Sequence, residues 1–250
     1  MALFKSGNPA LDKDTFLDVP AAAQDEKSMT LQGTVNKTAI LLILVFASAL
    51  YPWQILSGTH NFQAMRTGFW ISFLGAGVIG FWIAHNKEHS GILAPVYAVL
   101  EGFLLGILSF LMEVRYQGIV FESLVLTFSI ANFLLLIYKL EWIKPTENMK
   151  LIIASATGGI AVYYLVSIVL NAFGMNIPFI HDGGLWGILF SVFVVIIASM
   201  NFVVDFDFIE SGVNQGAPKY MEWYGAFGIM VTIIWLYIEI LRLLAKSRKR

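Results

Sequence analysis

The chain has 250 residues, a formal net charge of −1 and a mean hydropathy of +0.73, with 58% of its residues hydrophobic. Such a composition cannot cover its own surface in water, and the near-zero charge offers no basic footprint for a nucleic-acid partner. With no cysteine, disulfides, thiol nucleophiles and Cys-ligated metals are excluded.

The first 36 residues are polar and irregular, with Asn8-Pro9 and Val19-Pro20 followed by three alanines. No apolar core follows a basic start, so this is not read as a cleavable signal peptide. A mobile tail is expected over 1–36, with a short interfacial helix near Met29–Val35. Seven apolar stretches then follow, at 38–57, 67–85, 92–112, 119–139, 150–173, 184–206 and 220–245. Each is about 20 residues long, enough at 1.5 Å per residue to cross a hydrocarbon layer about 30 Å thick. Backbone polar groups in lipid must be satisfied within their own segment, so each stretch is expected to be an α-helix. The fold class is thus an all-α membrane protein, a bundle of seven transmembrane helices occupying 37–246, with a basic tail at 247–250. The lipid bilayer is its first partner.

Most tryptophans fall at the ends of these stretches, where an indole is half wet: Trp53, Trp70, Trp82, Trp142, Trp186 and Trp223. Trp235 lies deep in the last one. Close helix packing is expected at Gly75, Gly80, Gly102, Gly106, Gly158 and Gly159. Lys87, Lys139, Lys144, Lys150 and Lys219 lie in connections on the N-terminal side and favour a cytoplasmic N-terminus. The basic C-terminus, on the opposite face after seven spans, argues the other way, and the sidedness stays open.

Ionisable groups at membrane depth cost about 2.5–3.5 kcal/mol each on insertion scales, so they tend to face a polar interior and to serve a function. Glu101 lies mid-way along the third stretch, with Tyr97 one turn earlier as its nearest donor. Asp205 and Asp207 lie at the end of the sixth. Glu222 opens the seventh, and Glu239 with Arg242 closes it. Ser191, Ala198, Asn201 and Asp205 share one helical stripe, whereas Asp207 points elsewhere. Glu222, Gly225, Gly228, Thr232, Trp235, Glu239 and Arg242 form a second stripe along the whole last helix. A polar stripe of that length never meets lipid, so the last helix is expected at the centre of the bundle. Turn formers Gly212, Gly216 and Pro218 predict a tight hairpin over 210–219 that makes Asp205 and Glu222 neighbours. Such an acidic pair would titrate as a unit, sense pH or hold a divalent cation.

Enzyme chemistry finds no support. The histidines His60, His85, His89 and His181 lie at span ends or in loops, leaving Ser109, Ser191 and Ser199 without a base. No phosphate loop or dinucleotide fingerprint is present. No cofactor and no firm metal site are expected.

The string Ala198-Ser-Met-Asn-Phe-Val-Val-Asp205-Phe-Asp-Phe-Ile-Glu210, and the ending Leu236-Tyr-Ile-Glu-Ile-Leu-Arg242-Leu-Leu, resemble the Bax inhibitor-1-like, or YccA-like, membrane family. Met29-Thr-Leu-Gln-Gly-Thr-Val-Asn-Lys-Thr38 and Ala94-Pro-Val-Tyr-Ala-Val-Leu-Glu-Gly102 are similar to its bacterial branch. The resemblance implies seven helices with the last at the centre, a bacterial inner-membrane location and a pH-dependent calcium leak governed by an acidic pair between the last two helices. Asp205 matches the sixth-helix aspartate and Arg242 a basic residue near the end of the seventh. The seventh-helix aspartate falls on Thr232, so its role is absent or passes to Asp207 or Glu222. A basic latch at the end of the second helix falls near Ala84 and His85, which leaves His85 to serve. The expected activity is a pH-sensitive cation leak, with Ca2+ as the permeant ion. Asp205, Asp207, Glu222 and Glu101 would bind ions or sense pH, and Asn201, Thr232, Glu239, Arg242 and His85 would line or gate the path. The alternative is a regulatory membrane protein that acts through membrane-protein partners, such as a protease or a stress or death pathway, without conduction.

Overall fold

A computed structural model describes residues 28–59, 62–174 and 184–249. The expected tail is therefore outside the described residues as far as position 27, as are His60, His181 and Arg250. Among the described residues there are seven long helices: α1 (Leu31–Thr59), α2 (Phe62–His85), α3 (Ser90–Arg115), α4 (Ile119–Lys139), α5 (Glu147–Ala172), α6 (Leu185–Asn214) and α7 (Met221–Ser247). All seven are long and apolar enough to cross a membrane. Outside them the described residues include a short 3-10 turn, Lys87–His89, and an isolated antiparallel bridge between Ser28 and Pro218.

Two boundaries moved in ways that matter. The interfacial helix expected near Met29–Val35 is not separate; it is the first turns of α1, so Lys37 is a helical residue. The sixth helix runs eight residues past its expected end at 206, through Asp207, Glu210 and Gly212 to Asn214. Hydropathy fades there because the segment turns polar, but backbone hydrogen bonding does not depend on hydropathy. The hairpin shrinks to a short turn in which Gly216 takes a positive φ of 70°, a conformation open to glycine. Asp205 consequently sits well inside α6 rather than at its end.

The described chain forms two compact units, one of residues 118–207 with 231–249 and one of 28–117 with 208–230. In the first, Ala198, Leu236 and Ile240 form one apolar cluster, and Ile160, Val194 and Ile197 another. In the second, α1 lies against α3 so closely that a Cβ on Gly102 would strike the Val45 backbone and one on Gly106 the Ala49 carbonyl. Leu56, Met65, Ile107 and Phe110 fill the space beyond, with Trp53 edge-on to Phe110 at 5.6 Å. Trp53 thus packs against α3, six positions from the end of α1.

The helices differ sharply in burial. Most of α7's apolar stretch is buried (67%), against 17–50% for the other six. No residue of 221–246 is exposed. The expectation of an enclosed last helix holds, though its apolar face is enclosed as fully as its polar stripe. Gly158 and Gly159 do not follow expectation: among the described residues, no other element comes within 4 Å of where a Cβ would sit at either position on α5, so they make no close packing contact there.

Candidate functional site: buried charges along the last two helices

In the first unit, polar groups of α5, α6 and α7 meet in a ladder. Asp205 is fully buried, and Thr232 Oγ1 donates to its Oδ2 at 2.5 Å. One turn earlier on α6, Asn201 Nδ2 donates to Thr157 Oγ1 of α5 at 2.7 Å and to the Ile197 carbonyl at 2.9 Å. Further along, Ser191 Oγ accepts from Lys246 Nζ at 2.8 Å, and the Gly187 carbonyl accepts from the same ammonium at 3.0 Å. Fourteen positions separate Ser191 from Asp205, and fourteen separate Thr232 from Lys246. The two helices therefore keep one antiparallel register over about 21 Å.

Ala198 on α6 and Glu239 on α7 are the midpoints of this register. Glu239 is 1% exposed. Tyr164 of α5 donates its hydroxyl to both carboxylate oxygens, at 3.0 and 3.1 Å. Arg242 Nη1 reaches the same oxygens at 2.9 and 3.1 Å, and its guanidinium lies 4.7 Å from the Tyr164 ring centre. The expected local pair of Glu239 with Arg242 is present, with a phenol added from a third helix. A charge so enclosed is tolerable because every acceptor meets a charged or strong donor. Asp207, on another face of α6, pairs with Lys150 of α5 at 2.5 Å and is partly exposed.

The second unit holds the other acids. Glu222 is fully buried, and both its oxygens are engaged. Oε1 accepts from Thr30 N–H and Thr30 Oγ1, each at 2.9 Å, and from Lys219 at 2.6 Å. Oε2 is bound by Lys37 of α1. The carboxylate thus closes the N-terminus of α1, where free N–H groups and the helix dipole favour a negative charge. It comes so near that a Cβ on Gly33 would overlap it. Met29 N–H, donating to the Ala217 carbonyl at 2.7 Å, ties the same entry point to the α6–α7 turn.

The expected Asp205–Glu222 pair is therefore not formed. Thr232, the partner of Asp205, stands ten residues beyond Glu222 on α7, about 15 Å by helix rise. The expectation followed from ending α6 too early. Glu101 is half-buried on α3 and bonds Tyr97, as its spacing implied. Tyr97 also packs edge-on against Phe227 at 4.9 Å. His85 is exposed at the end of α2, its Nδ1 2.9 Å from the Phe81 carbonyl of its own helix.

Sequence reasoning missed two residues. Lys246, the last residue of the expected bundle and given no role there, is 4% exposed. Its signal was its spacing, seven positions after Glu239 and thus on the same stripe. Lys37 stands just before the apolar stretch at 38–57, and nothing local connects it with Glu222, 185 positions away.

Seven membrane-length helices among the described residues, with Asp205, Glu222 and Glu239 buried among them, define a multi-pass integral membrane protein. The chain belongs to the Bax inhibitor 1 like family, whose model matches residues 8–249. Comparison with curated proteins and with solved structures gave no match.

Proposed function

We propose that the protein is a pH-sensitive cation leak of the bacterial inner membrane, passing Ca2+ down its gradient without enzymatic chemistry. One observation carries this reading: Asp205, a fully buried acid on α6, meets α7 at Thr232, the position where the family resemblance places the second acid. A carboxylate at such depth is costly and marks ion pathways more often than packing. The path follows the α7 stripe from Asp205 past Asn201 to Glu239, and Glu101 acts as a second gating acid. Thr232 holds one oxygen of Asp205, and Tyr164 and Arg242 hold both oxygens of Glu239, contacts that opening of such a path would have to break. Protonating Asp205 weakens its hold on α7 and shifts the balance between two packings.

Vesicles reconstituted with the protein and loaded with a calcium dye test this. Flux is expected to depend on pH in the wild type, and Asp205→Asn should abolish that dependence. If Asp205→Asn and Glu101→Gln both leave flux and its pH profile unchanged, the assignment fails.

The capping itself favours a second reading, a membrane regulator that works through protein partners. Removing residues 1–27 separates the two. A partner-acting protein loses activity in cells while vesicle behaviour is unaltered; a leak keeps both.

A further inference from the structure

We infer that the lipid-facing side of α4 pairs with the same side of a second copy of this chain, pinned by Asn132 against its counterpart. The buried face of α4 carries Ile119, Ser123, Thr127, Ala131, Leu134 and Ile137. At about 100° per residue, Asn132 points almost directly away from the middle of that face, and it is exposed. It stands seven residues inside Lys139 and thirteen inside Ile119, about 10 and 20 Å by helix rise, too deep for so short a side chain to reach the headgroups.

Asn132 Nδ2 donates to the Phe128 carbonyl of its own helix at 2.7 Å. The amide orientation follows, since the reverse would set two carbonyl oxygens together. Among the described residues no other group meets the amide, so Oδ1 and the second Nδ2 hydrogen remain to be satisfied. Lipid tails offer neither a donor nor an acceptor, and an unmet amide in hydrocarbon is costly.

Whatever completes this amide must bring one donor and one acceptor to the same depth. A second copy, related by a two-fold axis along the membrane normal, does so by symmetry: each amide donates to the oxygen of the other. The rest of the face agrees. Val125, Ser129, Asn132 and Leu136 are all exposed and follow at steps of four, three and four, the spacing of a left-handed helix pair. Ser129, one turn from the amide, is small enough to let two helices come close. A single Asn in an otherwise apolar seam fixes its register. Glu122, at one end of the stripe, is already paired with Arg248 at 2.6 Å, so two copies meet there without bare carboxylates opposed.

Full-length protein in vesicles of phosphatidylcholine and phosphatidylglycerol provides the test. The chain has no cysteine, so a single thiol at Lys144→Cys carries either a donor or an acceptor fluorophore. As the protein-to-lipid ratio falls, energy transfer is expected to follow a monomer–dimer curve. Asn132→Leu should raise the dissociation constant about 5- to 30-fold, the measured worth of such polar pairs in lipid. Asn132→Gln, which keeps the amide, should lose less, and Phe81→Leu, exposed on α2, should leave the curve unchanged. Oxidation should cross-link Val125→Cys into dimers but not Val78→Cys, an exposed position of α2. Transfer no greater than chance encounter at every ratio leaves lipid or a different protein as the cover of this face and overturns the inference. A dimer that Asn132→Leu leaves unchanged overturns it too. Should Asn132→Leu not fold, cross-linking decides: Val125→Cys dimers support the pairing and their absence refutes it. No readout involves flux, so a failed leak and a missing dimer give different results.

Discussion

Glu222 shows how one residue changes meaning with its neighbours. By position it is an acid at the mouth of a transmembrane helix; by contact it is the anchor of α1, held by two lysines and Thr30. Breaking a buried ion pair by removing one charge strands the other and typically costs about 3–5 kcal/mol. Glu222→Gln should therefore lower thermal stability markedly in detergent, while Asp207→Asn, which frees a partly exposed pair, should cost about 1 kcal/mol or less. Gly33→Ala should mimic part of the Glu222 loss, by about 1–3 kcal/mol, because its methyl group would occupy the space of the carboxylate. A Gly33→Ala variant as stable as wild type would show that the carboxylate does not sit against α1. None of this follows from a stripe diagram, because a stripe gives a direction and not a partner.

At the scale of elements, glycines of the same apparent type divide into two groups. Gly102 and Gly106 let α3 touch the α1 backbone, while a Cβ at Gly158 or Gly159 on α5 would meet no other element among the described residues. Helix–helix affinity in lipid rests on close backbone approach, so the first pair cannot accept a side chain without parting the helices. Gly102→Val is expected to destabilise the fold by about 1–3 kcal/mol. Gly158→Ala should be neutral or stabilising by up to about 1 kcal/mol, since alanine favours a helix more than glycine does. Denaturation monitored by tryptophan fluorescence in mixed micelles distinguishes the two. The α6–α7 pairing obeys a similar logic: Asp205 with Thr232 and Ser191 with Lys246 are two pins in one register, and slipping one helix by a residue would break both. Here the α6 stripe of Ser191, Ala198, Asn201 and Asp205 was legible, as all four are buried. The end of α6 was not, because helicity outlasts hydropathy.

For the whole molecule, seven spans fix which connections share a side of the membrane. The α2–α3 and α4–α5 connections must lie together, and the α3–α4 connection must lie with the C-terminus. The chain has no cysteine, so single introduced thiols report without background. Glu88→Cys and Lys144→Cys should react with an impermeant reagent from one side of sealed vesicles, and Gln117→Cys and Lys249→Cys from the other; all four positions are exposed. Labelling of Lys144→Cys and Lys249→Cys from the same side would mean that one of the later helices does not cross. The sequence alone determined the seven membrane-length helices of the described residues, the enclosed last helix and the burial of Asp205, Glu222 and Glu239. These follow from apolar length and 3.6-residue spacing, both local properties of the chain. Tertiary structure alone decided what each buried charge touches. Lys37 and Glu222 are far apart in sequence, as are Tyr164 and Glu239, and a low-dielectric interior makes the identity of the partner, more than the position of the acid, govern what the charge can do.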